Sequence, residues 1–230
     1  MKVVVLQSNY IPWKGYFDLI HEADTFVFYD EVQYTKNDWR NRNQIYTKNG
    51  LQWLSIPVAA KFTNHKISEV VLEPAQWQDK HFKSLYFGYK SAPHFAQLEE
   101  LITDYLTNRQ WTSLKNLNHY MTKKISERIG IQTKFVDSAD YVLEEDKVSR
   151  LLNVLKQVGA TEYISGPSGK NYLEQFHTLF QENGISISYK NYPAYKPYKQ
   201  LAEPFQNSTS IVDMIAHLSY ADIGEHIWGK

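Results

Sequence analysis

Two short, unbroken apolar runs near the start of the chain, Val3-Val4-Val5-Leu6 and Thr25-Phe26-Val27-Phe28-Tyr29, narrow the folds open to it. Neither run alternates apolar with polar residues, so each reads as a strand buried on both faces, as in parallel sheets. Between them, Phe17, Ile20 and His21 recur at helical spacing. Two buried strands joined by a helix form a βαβ unit. Its polar groups gather after the strand ends, where open α/β sheets bind ligands.

The rest of the chain extends this pattern. Asn49-Gly50 signals a hairpin joining residues 43–47 to a strand over 51–58, and residues 67–72 read as a further strand. From residue 76 the period changes. Three helical stripes follow, through Phe82, Leu85, Tyr86 and Tyr89, then Leu98, Leu101 and Leu106, then Leu114, Leu117, Met121 and Ile125, ending at Gly130. The α/β rhythm then returns, with strands over 133–136, 162–165 and 185–189, and helices through Leu151 to Val158, over 172–182 and over 211–218. The expected architecture is α/β: a Rossmann-like, mainly parallel sheet formed by residues 1–75 and 131–230, with a helical insert over 76–130. The tail after Asp222 is expected to be loosely held.

Composition removes several classes of function. Lys plus Arg and Asp plus Glu both number 25, so no overall field draws the chain to nucleic acid or to an anionic membrane. Nucleic acid is therefore the weaker expectation, and recognition falls to local sites. There is no cysteine, hence no disulfide, thiol nucleophile or zinc-thiolate site. No apolar run approaches the ~20 residues that span a bilayer, and the start lacks the apolar stretch of a signal peptide. The expectation is a cytoplasmic protein without membrane insertion. The eight histidines show no metal-ligand spacing, so no metal is expected.

Three segments carry candidate chemistry. In the first, Asp30, Tyr34, Lys36, Trp39, Arg40, Arg42 and Asn43 crowd together, joined by Gln7, Tyr10, Trp13, Lys14 and Tyr16 from the loop after the first strand. Arg40, Arg42 and Lys36 suit phosphate, Trp39 and Tyr34 suit a base or sugar face, and Asp30 suits a hydroxyl or amine whose proton it would accept. In the second, Ser165-Gly166-Pro167-Ser168-Gly169-Lys170 links a strand to a helix. Ser165, Gly166, Ser168 and Lys170 there are candidate anion-binding groups, with Ser168 as the expected N-cap. The glycines are too close for a P-loop. The third is Tyr189, Tyr192, Tyr195 and Tyr198, three apart and interleaved with Pro193 and Pro197, which would line one edge of a polyproline-II path or pack onto the domain. His81, beside Trp77 and Lys80, is the candidate acid/base histidine.

The segments QSNYIPWKGYFDLI, FVFYDEVQYTKNDWRNRNQI, WLSIPV, WQDKHFKSL, YKSAPHF and YISGPSGKNYL together resemble the WbqC-like family of bacterial proteins over nearly the whole chain. Genes of this family often lie among those for O-antigen and other surface polysaccharides. The resemblance thus implies work on activated or amino sugars and supplies no residue roles. The layout is also remotely similar to HxGH nucleotidyltransferases. Trp13-Lys14-Gly15-Tyr16 keeps the Gly of that signature but replaces both His, so adenylylation by that route is not expected. The leading expectation is a transferase of surface-polysaccharide biosynthesis that binds a small sugar or nucleotide ligand, with a nucleotide-activated donor and no resident cofactor. A non-catalytic sugar-nucleotide binding or scaffold protein and a tRNA-end or aminoacyl-dependent transferase stand as alternatives. The sequence leaves the oligomeric state open.

Overall fold

The computed structural model describes residues 1–73 and 76–229. In chain order its elements are β1 (Lys2–Leu6), α1 (Lys14–Glu22), β2 (Thr25–Phe28), β3 (Arg42–Thr47), β4 (Gly50–Ser55), α2 (Trp77–Tyr89), α3 (Phe95–Leu106), α4 (Leu114–Arg128), β5 (Lys134–Asp137), α5 (Lys147–Val158), β6 (Glu162–Ser165), α6 (Lys170–Leu173), α7 (His177–Glu182), β7 (Ser186–Tyr189), α8 (Ile211–His217) and α9 (Tyr220–Ile227).

Five strands form a parallel sheet in the order β5-β2-β1-β6-β7, a Rossmann-like α/β arrangement. The chain first steps from β1 outward to β2 and β5, then returns to place β6 on the other side of β1. The topological reversal therefore lies between β1 and β6, beyond whose carboxyl ends such sheets bind ligands.

Residues of alternate parity along the strands fill two cores. Val4, Phe26, Phe28 and Ile164 face a large layer built by α1, α2, α3, α4, α8 and α9. Val3, Val5, Val27 and Tyr163 face a smaller one closed by Leu151, Leu152, Val154 and Leu155 of α5 and by Leu173 and Phe180. Successive strand side chains point to opposite faces, and with both faces covered the runs must be apolar throughout. Helices α2 to α4 share the large core with α1 and the sheet. The expected boundary between residues 75 and 76 falls at residue 75, which lies outside the described residues, as does residue 230.

β3 and β4 form the expected hairpin, with Thr47 opposite Gly50, whose φ of +88° suits glycine. Residues 67–72 do not form a strand. Ile67–Glu69 is a 3-10 turn in which the Glu69 carboxylate accepts from the Lys66 N–H. Val70 and Leu72 then bond to the chain around Thr112 and Leu114. Ile67, Val70 and Leu72 are all buried, so the run is apolar because it lies on the core, not because it pairs in a sheet. The helix expected over 172–182 is interrupted by a 3-10 turn, Glu174–Phe176, between α6 and α7.

The carboxyl-terminal tail is not loose. Ser219 caps α9, Ile223 and Ile227 are buried, and Trp228 stacks on His21 at 4.2 Å. Among the described residues no helix is long and apolar enough to cross a membrane. Ile223→Ala should cost about 2–5 kcal/mol, the usual range for emptying a buried aliphatic site. Urea denaturation measures this; an unchanged midpoint would mean that α9 does not support the core.

Candidate functional site

On leaving the sheet after Leu6, the chain runs through residues 7–12 with its backbone largely enclosed, and buried carbonyls need donors. Side chains from distant segments supply them. Tyr16 Oη donates to Gln7 O at 3.0 Å, and Arg40 Nη1 donates to Gln7 O at 3.3 Å, to Ser8 O at 3.4 Å and to Asn9 Oδ1. Asn43 Nδ2 donates to Tyr10 O at 3.1 Å and to Ile11 O at 2.9 Å, while Ser210 Oγ donates to Ile11 O at 2.6 Å. Ile11 has φ +35°, a conformation that costs a β-branched residue about 1–3 kcal/mol and persists only when its surroundings fix it. Asn43 and Ser210 are those surroundings.

The turn so held forms one side of a cavity of about 320 Å³ lined by Asn9, Pro12, Trp13, Trp39, Asn43 and Ser208. Trp13 folds back over Gly15, where a Cβ would lie 2.3 Å from the indole, and rests edge-on against Tyr192 at 5.2 Å. Trp39 is half exposed and lies beside another half-exposed indole, Trp53. Its carbonyl accepts from the Tyr10 N–H at 2.9 Å, fastening the second loop to the first. Asn43 is committed to the backbone, so two indole walls with the Asn9 side-chain amide between them are what suit a sugar ring or a planar base.

Asp30, at the end of β2, is fully buried. Its Oδ1 accepts from the Ser8 N–H at 2.8 Å and its Oδ2 from His119 Nε2 at 2.7 Å. His119 stacks on Phe28 at 3.8 Å, and its Nδ1 faces Asp137 Oδ2 at 3.9 Å, a carboxylate held by Lys115 at 2.6 Å. Asn118, one residue before, donates to Ser8 Oγ at 3.3 Å and Arg40 O at 2.9 Å, and its own Oδ1 is buried without a partner. In the neutral ring, a proton on Nε2 shared with Asp30 leaves Nδ1 as the acceptor. His119 was not singled out by its sequence. The available signal was the pair Asn118-His119, polar and buried, within the apolar stripe of α4.

Several expected site residues have other work. Both oxygens of Asp30 already accept a hydrogen bond, from the Ser8 N–H and from His119. His81 bonds through Nδ1 to Tyr10 Oη at 2.8 Å and through Nε2 to Ser55 O at 3.3 Å, and burial lowers its pKa to about 4. It is a neutral structural histidine between α2 and the hairpin. Tyr10, Tyr16 and Tyr34 are buried in the core and offer no face to a ligand, and burial raises the pKa of each. Arg40 spends Nη1 on the turn and approaches Asp38 at 3.7 Å with Nη2. Arg42 donates to Asn37 O and lies 4.3 Å over Trp53. Lys36 is exposed.

In the glycine turn, Ser165 is buried with its Oγ 2.0 Å from where a Gly169 Cβ would stand, so Gly169 permits that approach. Gly166, not Ser168, caps the turn, and Ser168 and Lys170 are exposed. Of the expected ligand residues the structure brings Trp13, Trp39 and Asn43 to one cavity, while Gln7 meets Arg40 through its carbonyl. No cluster of three or more metal-ligating side chains occurs among the described residues.

Lys14 is buried at the start of α1, its Nζ 5.3 Å from the Tyr195 ring, 5.7 Å from Tyr198 and 5.3 Å from Phe205. Burial lowers its pKa to about 8, partly offset by Asp213. Because the unfolded chain holds this proton until about pH 10.4, stability from this group rises with pH across roughly 8 to 10.4. Wild type should therefore gain stability relative to Lys14→Met between about pH 7.5 and 9.5 in urea titrations; parallel changes in both proteins would refute the shift. Asn43→Ala should cost about 1–3 kcal/mol, because the Tyr10 carbonyl loses its donor whereas that of Ile11 keeps Ser210. A midpoint like that of wild type would show that the turn holds itself.

The WbqC-like protein family matches residues 7–224, a span that takes in the turn, the cavity and the Asp30–His119 pair. The chain is also 42% identical over 215 residues to the uncharacterized protein Rv1507c of Mycobacterium tuberculosis (strain ATCC 25618 / H37Rv), covering 93% of this chain and 92% of that protein. No solved structure matches. On the breadth of the family match, which spans both loops and every strand from β2 to β7, the chain belongs to the WbqC-like protein family.

Proposed function

We propose that this protein is a transferase of bacterial surface-polysaccharide biosynthesis that acts on a nucleotide-activated or amino sugar. The observation that carries the reading is the cavity walled by Trp13 and Trp39, with Asn9 and Asn43 between them, beside the carboxyl end of β1. Indole faces take the apolar side of a sugar ring, and the Asn9 amide N–H, not used in the turn, would read a hydroxyl. The association of the family with polysaccharide genes supports the same substrate class.

Chemistry would fall to His119. An acceptor hydroxyl or amine placed at Nδ1 would give up its proton there as its oxygen or nitrogen attacks the donor, and the nucleotide or other leaving group would depart with the bonding electron pair. Asp30 would hold the ring in the tautomer this needs and stabilise the imidazolium formed. The link from Asp30 to the Ser8 N–H, one residue before Asn9, ties this pair to the cavity. A non-catalytic sugar-nucleotide binding protein is the second reading. It is favoured by the engagement of Arg40 with the backbone, which takes a phosphate-binding group out of play.

The test is a thermal-shift screen of wild type and Trp39→Ala with nucleotide sugars, free nucleotides, acyl-coenzyme A compounds and aminoacyl-adenylate analogues. A nucleotide sugar that stabilises wild type and not the variant is expected; stabilisation by the other classes alone would overturn the reading. With such a donor in hand, His119→Asn should lower turnover about 10²–10⁴-fold while leaving donor affinity intact. Turnover equal to wild type would remove His119 from the mechanism, and no turnover in wild type with any sugar acceptor would leave the binding-protein reading.

A further inference from the structure

Two indoles stand half out of the surface side by side. Trp39 and Trp53 are 43% and 46% exposed, their ring centroids 5.7 Å apart and their planes tilted by 32°. Trp39 also lines the cavity, so the pair continues that cavity outward.

The hairpin decides what surrounds them. On β4, Trp53 pairs directly across with Gln44 of β3, and the strand period puts Arg42 and Leu51 on the same face. Leu51 is 47% exposed. The Arg42 guanidinium stacks on Trp53 at 4.3 Å; its Nη2 donates to Asn37 O and its Nε is buried, while its Nη1 makes no hydrogen bond among the described residues. The backbone of Gln44 bonds to Asn43 and Ser210, while its side-chain amide makes no hydrogen bond among the described residues. The Gln44 amide and the Arg42 Nη1 therefore border two half-exposed indoles.

We propose that Trp39, Trp53, Gln44 and Arg42 form an extended saccharide subsite that holds the acceptor as a chain of at least two sugar rings. The assignment rests on the reading of the cavity as a sugar site. The chemistry is that of carbohydrate recognition: the C–H face of each ring lies on an indole, and amide and guanidinium groups at the edge read the hydroxyls. Adjacent platforms match successive rings of a chain, whereas a single monosaccharide would need one. A single-stranded nucleic acid would also stack on indoles, but it needs free cations along its backbone. Of the two arginines of this loop, Arg40 is spent on Gln7 O and Ser8 O, and Arg42 keeps one edge free among the described residues, beside Asn37 O and Trp53, enough for a hydroxyl but too little charge to follow a phosphate backbone.

The deciding experiment compares wild type with Trp53→Ala on a glycan array carrying matched mono-, di- and trisaccharides and bacterial polysaccharides, with oligouridylate as a separate probe. Trp53 is on the surface, and an unchanged circular dichroism spectrum and melting midpoint verify that the variant folds. Oligosaccharides should bind wild type better than their monosaccharides, and Trp53→Ala should lose about tenfold in affinity, the effect of one stacked ring. Equal binding by the variant, no preference for chains over monosaccharides, no glycan bound, or salt-sensitive binding of oligouridylate alone would each overturn the proposal. If nucleotide sugars still stabilise wild type in that event, only the acceptor subsite fails; if they do not, the reading of the cavity fails with it.

Discussion

The backbone of residues 7–12 must find donors for its carbonyls inside the protein, and much of the surrounding structure answers that need. Tyr16, Arg40, Asn43 and Ser210 lie far apart in sequence and converge on the oxygens of Gln7, Ser8, Tyr10 and Ile11. An unmet buried carbonyl costs about 1–3 kcal/mol, so four such groups outweigh the strain of a left-handed isoleucine. The turn is rigid because it is over-determined. That rigidity is what allows Asn9, Pro12 and Trp13 to keep fixed positions around a cavity.

The same turn connects the cavity to the only buried carboxylate–imidazole pair at the strand ends among the described residues. Ser8 gives its N–H to Asp30 and its hydroxyl accepts from Asn118, while Asn118 and His119 are consecutive on α4. A displacement of the turn would therefore reach both the aromatic walls and the orientation of His119. The helical layer positions this contact, since α4 is locked against the sheet by Leu117, Met121 and Ile125 in the large core. Placing α4 over the ends of β2 and β5 brings Lys115 to Asp137 and His119 to Asp30 in one turn of helix.

Much of the fold was legible because burial leaves a periodic trace. Unbroken apolar strands announced a sheet covered on both faces, and Asn49-Gly50 announced the hairpin. Residues 67–72 misled because their burial pattern comes from lying on a core without a neighbouring strand, and the tail misled because α9 is short and anchored mainly by Ile223, Ile227 and Trp228. The site was legible in part. Trp13 and Trp39 declared themselves as costly residues in a loop, and they meet Asn43 of β3 at the cavity. Arg40, Tyr10, Tyr16 and Tyr34 carry the same composition yet point inward, and composition does not encode direction. His119 was hidden because its partner Asp30 is 89 positions away.

The tyrosine–proline segment shows how the far wall is set. Its three-residue spacing does not present a row of rings along one edge; the hydroxyls instead find buried carboxylates on two different helices. Tyr195 donates to Asp18 of α1 at 2.8 Å, and Lys190 reaches the same carboxylate at 2.9 Å. Tyr198 donates to Asp213 of α8 at 2.5 Å, joined there by Tyr89 at 3.0 Å and Gln200 at 2.7 Å. Burial raises the pKa of Asp213, which the three donors and nearby His217 counteract. Tyr192, between the anchors, rests on Trp13. The segment over residues 190–210 thus straps α1 to α8 and ends at Ser208, on the cavity, and Ser210, on the strained turn. The aromatic wall and the turn are held from the same carboxyl-terminal strap, so neither can move independently of the other.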